Sequence, residues 1–204
     1  MEFWNDIATD RSWEVLLQLK KKFKFVLIGG WAIYLLTKTL KSKDIDIIVD
    51  FEVLDMLKDG YVINKNDDLK KYEIKIDDIS VDIYVPYYSK FAIPSEDILK
   101  RTAIVGGFAL PETEALLILK QQAELARKDS IKGQKDRADI LNLLVNATID
   151  VDNYRKMLVK YKIQDFEKRL KTIIKTAGKE FEFIGIKDFR KIKLIKKRIL
   201  DRLR

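Results

Sequence analysis

The stretch 25-FVLIGGWAIYLLTKTLKSKDIDIIVD-50 decides how this chain is read. Two apolar runs of strand length, 25–28 and 45–49, flank a Gly-Gly pair that leads into a helix expected over 31–40. Strand side chains alternate, so Asp44, Asp46 and Ile48 point one way and Ile45, Ile47 and Val49 point the other way, into a core. A half-buried strand gains no stability from two carboxylates on one face. A third carboxylate has the same setting in 79-ISVDIYV-85, where Val81, Ile83 and Val85 form the apolar face and Ser80, Asp82 and Tyr84 the other. If the two strands are neighbours, three carboxylates converge, repel and push one another's pKa upward. A hard divalent cation relieves that repulsion, and Mg²⁺ favours a few carboxylates together with substrate phosphates. Gly29 and Gly30 supply a complementary feature. They lie between a strand and a helix N-terminus, where backbone N–H groups and the helix dipole favour phosphate and the missing Cβ permits close approach.

Working outward, the chain has 204 residues, 47% hydrophobic and 35% charged, a globular balance long enough for one large domain or two small ones. It has neither Cys nor His. Disulfides, thiolate or imidazole zinc sites and His-based triads are therefore excluded, and catalysis must rest on carboxylates, lysines, hydroxyls and hard metal ions. No apolar run approaches the ~18 residues that span a bilayer, so no membrane partner is expected. The acidic opening, MEFWNDIATDRSWEV, lacks a signal-peptide core, and a cytoplasmic protein is expected. The Lys-, Glu- and Ile-rich usage is compatible with a thermophile. Charge is divided unevenly: residues 1–150 hold 22 Lys/Arg against 25 Asp/Glu, a net of −3, whereas residues 151–204 hold 18 against 7, a net of +11. A basic tail on a nearly neutral body points to a polyanionic partner, with nucleic acid the leading candidate.

The periodicities predict a helix over 10–22, a short helix near 52–58, and a hairpin of 72–76 with 79–85 around Asp77-Asp78. A helix near 95–101 and a single strand in 102-TAIVGGFAL-110 follow. From Pro111, placed in a first helical turn, only helices are expected, at about 134–147, 151–160, 163–177 and 187–204 after the opening one. The fold class is α+β: a small mixed sheet flanked by helices over 1–110, then a C-terminal helical bundle over 111–204.

An apolar residue and Gly-Gly (Ile28, Gly29, Gly30), a thirteen-residue spacer, Asp44-Ile45-Asp46 and a later strand aspartate, Asp82, together resemble the polymerase-beta type nucleotidyltransferase superfamily. The helix lysine Lys120, with Asp136, Asp139 and Ile140 following, looks like the C-terminal motifs of its AbiEii-like branch, which includes toxins of toxin–antitoxin systems. GGWAIYLL is similar to antibiotic nucleotidyltransferases. The resemblance covers about residues 25–145. It implies two Mg²⁺ ions, with Mn²⁺ able to substitute, held by Asp44, Asp46 and Asp82. It further implies an NTP seated by Gly29, Gly30, Lys120 and Asp136, and transfer of a nucleoside monophosphate to a hydroxyl of an RNA, tRNA or protein acceptor.

Two other functions compete. A catalytically silent RNA-binding or antitoxin-like protein would have no use for three aligned carboxylates. A small-molecule enzyme of the aminoglycoside-modifying kind would favour an acidic helical half, which the +11 tail is not. Each residue also has a structural reading. Asp44, Asp46 and Asp82 can be strand charges that face solvent, Lys120 the polar side of an amphipathic helix, Asp136 and Asp139 helix-start charges, and 187–204 a docked helix with a solvated basic face.

Overall fold

The alternation expected for 79–85 is present residue by residue. In the computed structural model, which describes residues 6–204, Ile79, Val81, Ile83 and Val85 are buried while Ser80, Asp82 and Tyr84 are half-buried. The first five residues of the acidic opening lie outside that range.

The described chain forms two compact units, one running to Glu112 and the other from Thr113 to Arg204. The first contains α1 (Asp6–Lys22), β1 (Val26–Ile28), α2 (Gly29–Thr37), β2 (Ile45–Ile48), α3 (Phe51–Gly60), β3 (Asn64–Asn66), β4 (Lys71–Ile76), β5 (Ile79–Tyr84), α4 (Ser95–Lys100), β6 (Thr102–Val105) and β7 (Phe108–Pro111). Its seven strands make one mixed sheet in the order β3-β4-β5-β2-β1-β7-β6. The β2–β5 and β1–β7 pairs are parallel, and the other pairs are antiparallel. Leu27, Ile45, Ile47, Val81 and Ile83 are fully buried in the central strands, as are Leu16 of α1 and Ile33 of α2. Trp31 is buried too, and its indole N–H finds the partner that a buried Trp requires in the Ser12 hydroxyl, at 2.8 Å.

Four expectations change. The run 102–110 is a hairpin rather than one strand, because Gly106 and Gly107 both take positive φ (59° and 78°), as a tight two-residue turn demands, and Val105 pairs with Phe108. Pro111 ends β7 opposite Thr102 instead of opening a helix, which begins at Thr113. The polar strand β3, at the sheet edge, has no hydrophobic signal and was not expected. Helix α2 also begins earlier, at Gly29, and stops at Thr37, where Lys38 adopts the left-handed conformation.

The second unit is helical: α5 (Thr113–Arg127), α6 (Ile131–Asn146), α7 (Val151–Lys160), α8 (Asp165–Thr176), α9 (Glu180–Phe183) and α10 (Phe189–Arg202). Side-chain caps start three of them. Ser130 accepts from Gly133 N–H, Asp150 from Asp152 and Asn153, and Asp188 from Arg190 and Lys191. Helix α10 buries Ile195 and Ile199, with Leu203 just beyond it, and exposes Lys191, Lys193, Lys197 and Arg198. The basic tail is thus a docked amphipathic helix with its charge outward. Ile199→Ala is expected to cost about 2–5 kcal/mol in urea unfolding, whereas Leu194→Ala, at a site 68% exposed, stays within about 0.5 kcal/mol.

Candidate active site

The parallel pairing of β2 with β5 sets Asp46 opposite Asp82, and the antiparallel pairing of β5 with β4 sets Asp82 opposite Glu73. Paired residues project from the same sheet face, so three carboxylates stand in a row across three adjacent strands. Asp44, half-buried just before β2, adds its charge from the side.

At the other end of the row, β1 closes with Ile28 paired to Asp46 and the chain turns directly into α2. Gly29 makes that turn with φ at 68°. A Cβ at residue 29 would overlap the Asp46 carboxylate and come within 2.7 Å of its Cγ. Only glycine satisfies both conditions. Gly30 is buried in the first turn of α2, whose N-cap residue, Ile28, supplies no side-chain cap. The Asp46 carboxylate and the N-terminus of α2 therefore meet at the Gly-Gly pair.

Lys71 at the start of β4 occupies the middle of the row. Its ammonium donates to Asp82 Oδ2 at 2.6 Å and lies 2.8 Å from Glu73 Oε1, with the side chain only 12% exposed. Burial disfavours the ammonium, but the hydrogen bonds to Asp82 and Glu73 outweigh it and hold the Lys71 pKa above its ordinary value. The hydrogen bond from Lys71 draws Glu73 below the usual carboxylate range. For Asp82, burial prevails over the Lys71 bond, and with the charges of Glu73 and Asp44 it pushes the carboxyl up.

Among the described residues, no three carboxylates are drawn together tightly enough to enclose a metal ion as the side chains stand. The donor set nonetheless suits a hard divalent cation. Its donors are all oxygen, Asp46 and Asp82 are register partners on adjacent strands, and Asp82 already accepts from one cation, the Lys71 ammonium.

Lys120 and Asp136 lie in the helical unit, in a second charge cluster built between α5 and α6. Lys120 bridges Asp136 at 3.1 Å and Asp139 at 2.7 Å, Arg127 holds Asp136 at 2.7 Å, and Lys135 holds Asp139 at 3.0 Å. Both aspartates are buried, and one Asp139 oxygen has no hydrogen-bond partner. Burial alone would raise the Asp139 pKa, yet Lys120 and Lys135 reverse it and hold the carboxyl below its ordinary range.

The predicted residues thus fall into two groups: Gly29, Gly30, Asp44, Asp46 and Asp82 in the sheet unit, and Lys120 and Asp136 in the helical unit. Sequence reasoning missed Lys71 and Glu73. Their signal is the alternation of 71-KYEIKI-76, which sets Lys71, Glu73 and Lys75 on the face of Asp82 once the hairpin register is fixed.

No family model matches the chain, and a search of curated proteins finds no matching sequence. Solved structures do. The protein JHP933 from Helicobacter pylori superposes with a TM-score of 0.54 at 17% identity, covering 98% of this chain and 92% of that one. An antigenic nucleotidyltransferase-like protein from Paracoccidioides brasiliensis gives 0.44 at 16% identity, covering 82% and 93%. ANT(2")-Ia, in complex with adenylyl-2"-tobramycin, gives 0.49 at 13% identity, covering 76% and 97%. The likeness to JHP933 concerns the fold.

Two predictions arise from these clusters. Gly29→Ala should lose more than about 2 kcal/mol, since a left-handed non-glycine residue alone costs roughly 1–2 kcal/mol and the overlap with Asp46 adds to it. Thermal melting measures this. Because the Asp139 pKa is depressed on folding, its stabilisation is complete above its unfolded pKa, about 3.9, and is lost as pH falls through the lower folded value. Acid unfolding followed by circular dichroism should therefore be less steep below about pH 4 in Asp139→Asn than in the parent chain.

Proposed function

We propose that the chain is a magnesium-dependent nucleotidyltransferase that moves a nucleoside monophosphate from an NTP to an acceptor hydroxyl and releases pyrophosphate. The observation that supports this most directly is the Asp46–Asp82 register on neighbouring parallel strands, with Gly29 packed on Asp46 at the N-terminus of α2. That arrangement brings a cation-seeking carboxylate pair and a phosphate-seeking backbone to the same point.

Asp44, Asp46 and Asp82 would hold two Mg²⁺ ions, or Mn²⁺ in their place, which supply charge neutralisation on the phosphates and activation of the acceptor oxygen. The chain's own groups do the rest. Gly29 and Gly30 would seat the β- and γ-phosphates against backbone N–H groups. In the transfer, the acceptor oxygen bonds to the α-phosphorus, the bond from that phosphorus to the bridging oxygen breaks, and pyrophosphate leaves. Asp82, whose carboxyl burial raises above its ordinary value, would accept the proton of the hydroxyl. Lys120 and Asp136, buried and paired with each other, are assigned a structural role in the helical unit.

RNA, tRNA or protein acceptors are favoured over small molecules, and a toxin–antitoxin component is the biological setting that fits them. The exposed Lys191, Lys193, Lys197 and Arg198 of α10 support an anionic acceptor such as RNA. Incubation with each α-labelled NTP, Mg²⁺ and either total RNA or total protein should yield one labelled macromolecule. Asp46→Asn should reduce that labelling at least about 100-fold without lowering the melting temperature, since a like-charge contact is relieved. Label found only in a small cationic acceptor would replace the RNA and protein reading, and no transfer at all with any NTP would end it.

A further inference from the structure

Lys71 is not explained by ordinary ion pairing. Exposed pairs contribute little, and this side chain is 12% exposed, so its ordering in the sheet has a purpose beyond solubility. Were its task only to neutralise Asp82 permanently, an apolar pair at the two positions would serve stability as well or better. Its position is instead that of a shared cation. The ammonium lies 2.6 Å from Asp82, on the side toward Asp46, and 2.8 Å from Glu73, on the side toward the sheet edge. Glu73 is itself steadied from the edge strand by Asn66, whose amide donates to the same oxygen at 3.3 Å. The lysine can therefore give up Asp82 without losing its other carboxylate.

We propose that Lys71 is a tethered stand-in cation. It neutralises Asp82 while the divalent cation is absent, and moves wholly onto Glu73 when that cation takes Asp82. This rests on the metal-dependent reading of the acidic row and assigns Lys71 as a positioning residue rather than a catalytic one. The ammonium keeps Asp82 and Glu73 from splaying apart. It also sets a threshold that divalent cation must exceed, so the site fills when metal arrives with the charge of a triphosphate rather than as free ion. Glu73 is the resting partner that makes the exchange affordable.

The probe is Mn²⁺ alone, its binding to the full chain followed by electron paramagnetic resonance and by the shift in melting temperature. Lys71→Met should bind Mn²⁺ about tenfold tighter or more, because a competing charge within a few ångströms of the ligand is gone. Its metal-free form should melt lower than the parent, and Mn²⁺ should raise that melting temperature by more than it raises the parent's. Lys71→Arg, which keeps the charge, should stay near the parent affinity. Glu73→Gln should weaken binding, since the ammonium then has only Asp82 to rest on, and this effect should vanish in the Lys71→Met/Glu73→Gln double variant.

Unchanged Mn²⁺ affinity in Lys71→Met, with binding still lost in Asp46→Asn, would overturn the stand-in and leave the metal site in place. A Glu73→Gln effect that persists undiminished without Lys71 would mean bulk charge alone and would also overturn it. Mn²⁺ binding indifferent to both Asp46→Asn and Asp82→Asn would remove the metal site and the stand-in together. If Lys71→Met does not fold, Glu73→Gln alone decides, and an affinity equal to or above the parent's would overturn the exchange.

Discussion

The contact between the Asp46 carboxylate and the backbone of Gly29 is the constraint around which the sheet unit is arranged. It requires the first strand to end at Ile28, the chain to turn through a left-handed residue, and the next helix to begin with no side chain between it and the carboxylate. Those same conditions leave the helix N-terminus facing an acid. A carboxylate at the positive end of a helix is favourable in itself, so the two features support each other. The parallel pairing of β2 with β5 then extends the carboxylate into a row. Structural necessity and chemical potential arise here from one piece of geometry.

The chain handles buried charge in two ways. In the helical unit, Asp136 and Asp139 are matched by Lys120, Lys135 and Arg127, and Glu124 by Arg137 and Arg169. Cations there equal or outnumber the carboxylates, which suits a permanent brace. In the sheet unit, Lys71 bridges Asp82 and Glu73, Lys75 adds its charge at Glu73, and Asp46 is the register partner of Asp82. The two clusters also differ in exposure: the Asp136 and Asp139 side chains are at most 1% exposed, whereas those of Asp82 and Glu73 are 20% and 37% exposed.

Period-two alternation made β2 and β5 legible, because a strand that is apolar on one face cannot hide two acids on the other. The Gly-Gly turn was legible for a similar reason. Other features had weaker signals. The strand Asn64–Asn66 is three polar residues at an edge, held by backbone pairing that no side-chain pattern announces. The 102–110 run is apolar across its turn, so its hydrophobicity concealed the hairpin that its two glycines specify. Lys71 and Glu73 became meaningful only with the register of β4 on β5, which the tight turn at Asp77-Asp78 sets. The burial of Lys120 was hidden because an amphipathic helix looks the same in sequence whether its charged stripe meets water or another helix's carboxylates.

The parallel neighbours β2 and β5 are separated in the chain by a helix, an edge strand and β4. As the polypeptide leaves the ribosome, β1 and β2 can pair early, but β2 then presents an unpaired, Ile-rich edge until residue 84 has emerged. That interval is the hazardous one for any sheet built by non-local pairing, since an open apolar edge recruits other chains. Asp46 lies in the middle of that edge. A carboxylate placed there discourages intermolecular pairing during synthesis, so Asp46 guards the nascent sheet until β5 covers its edge.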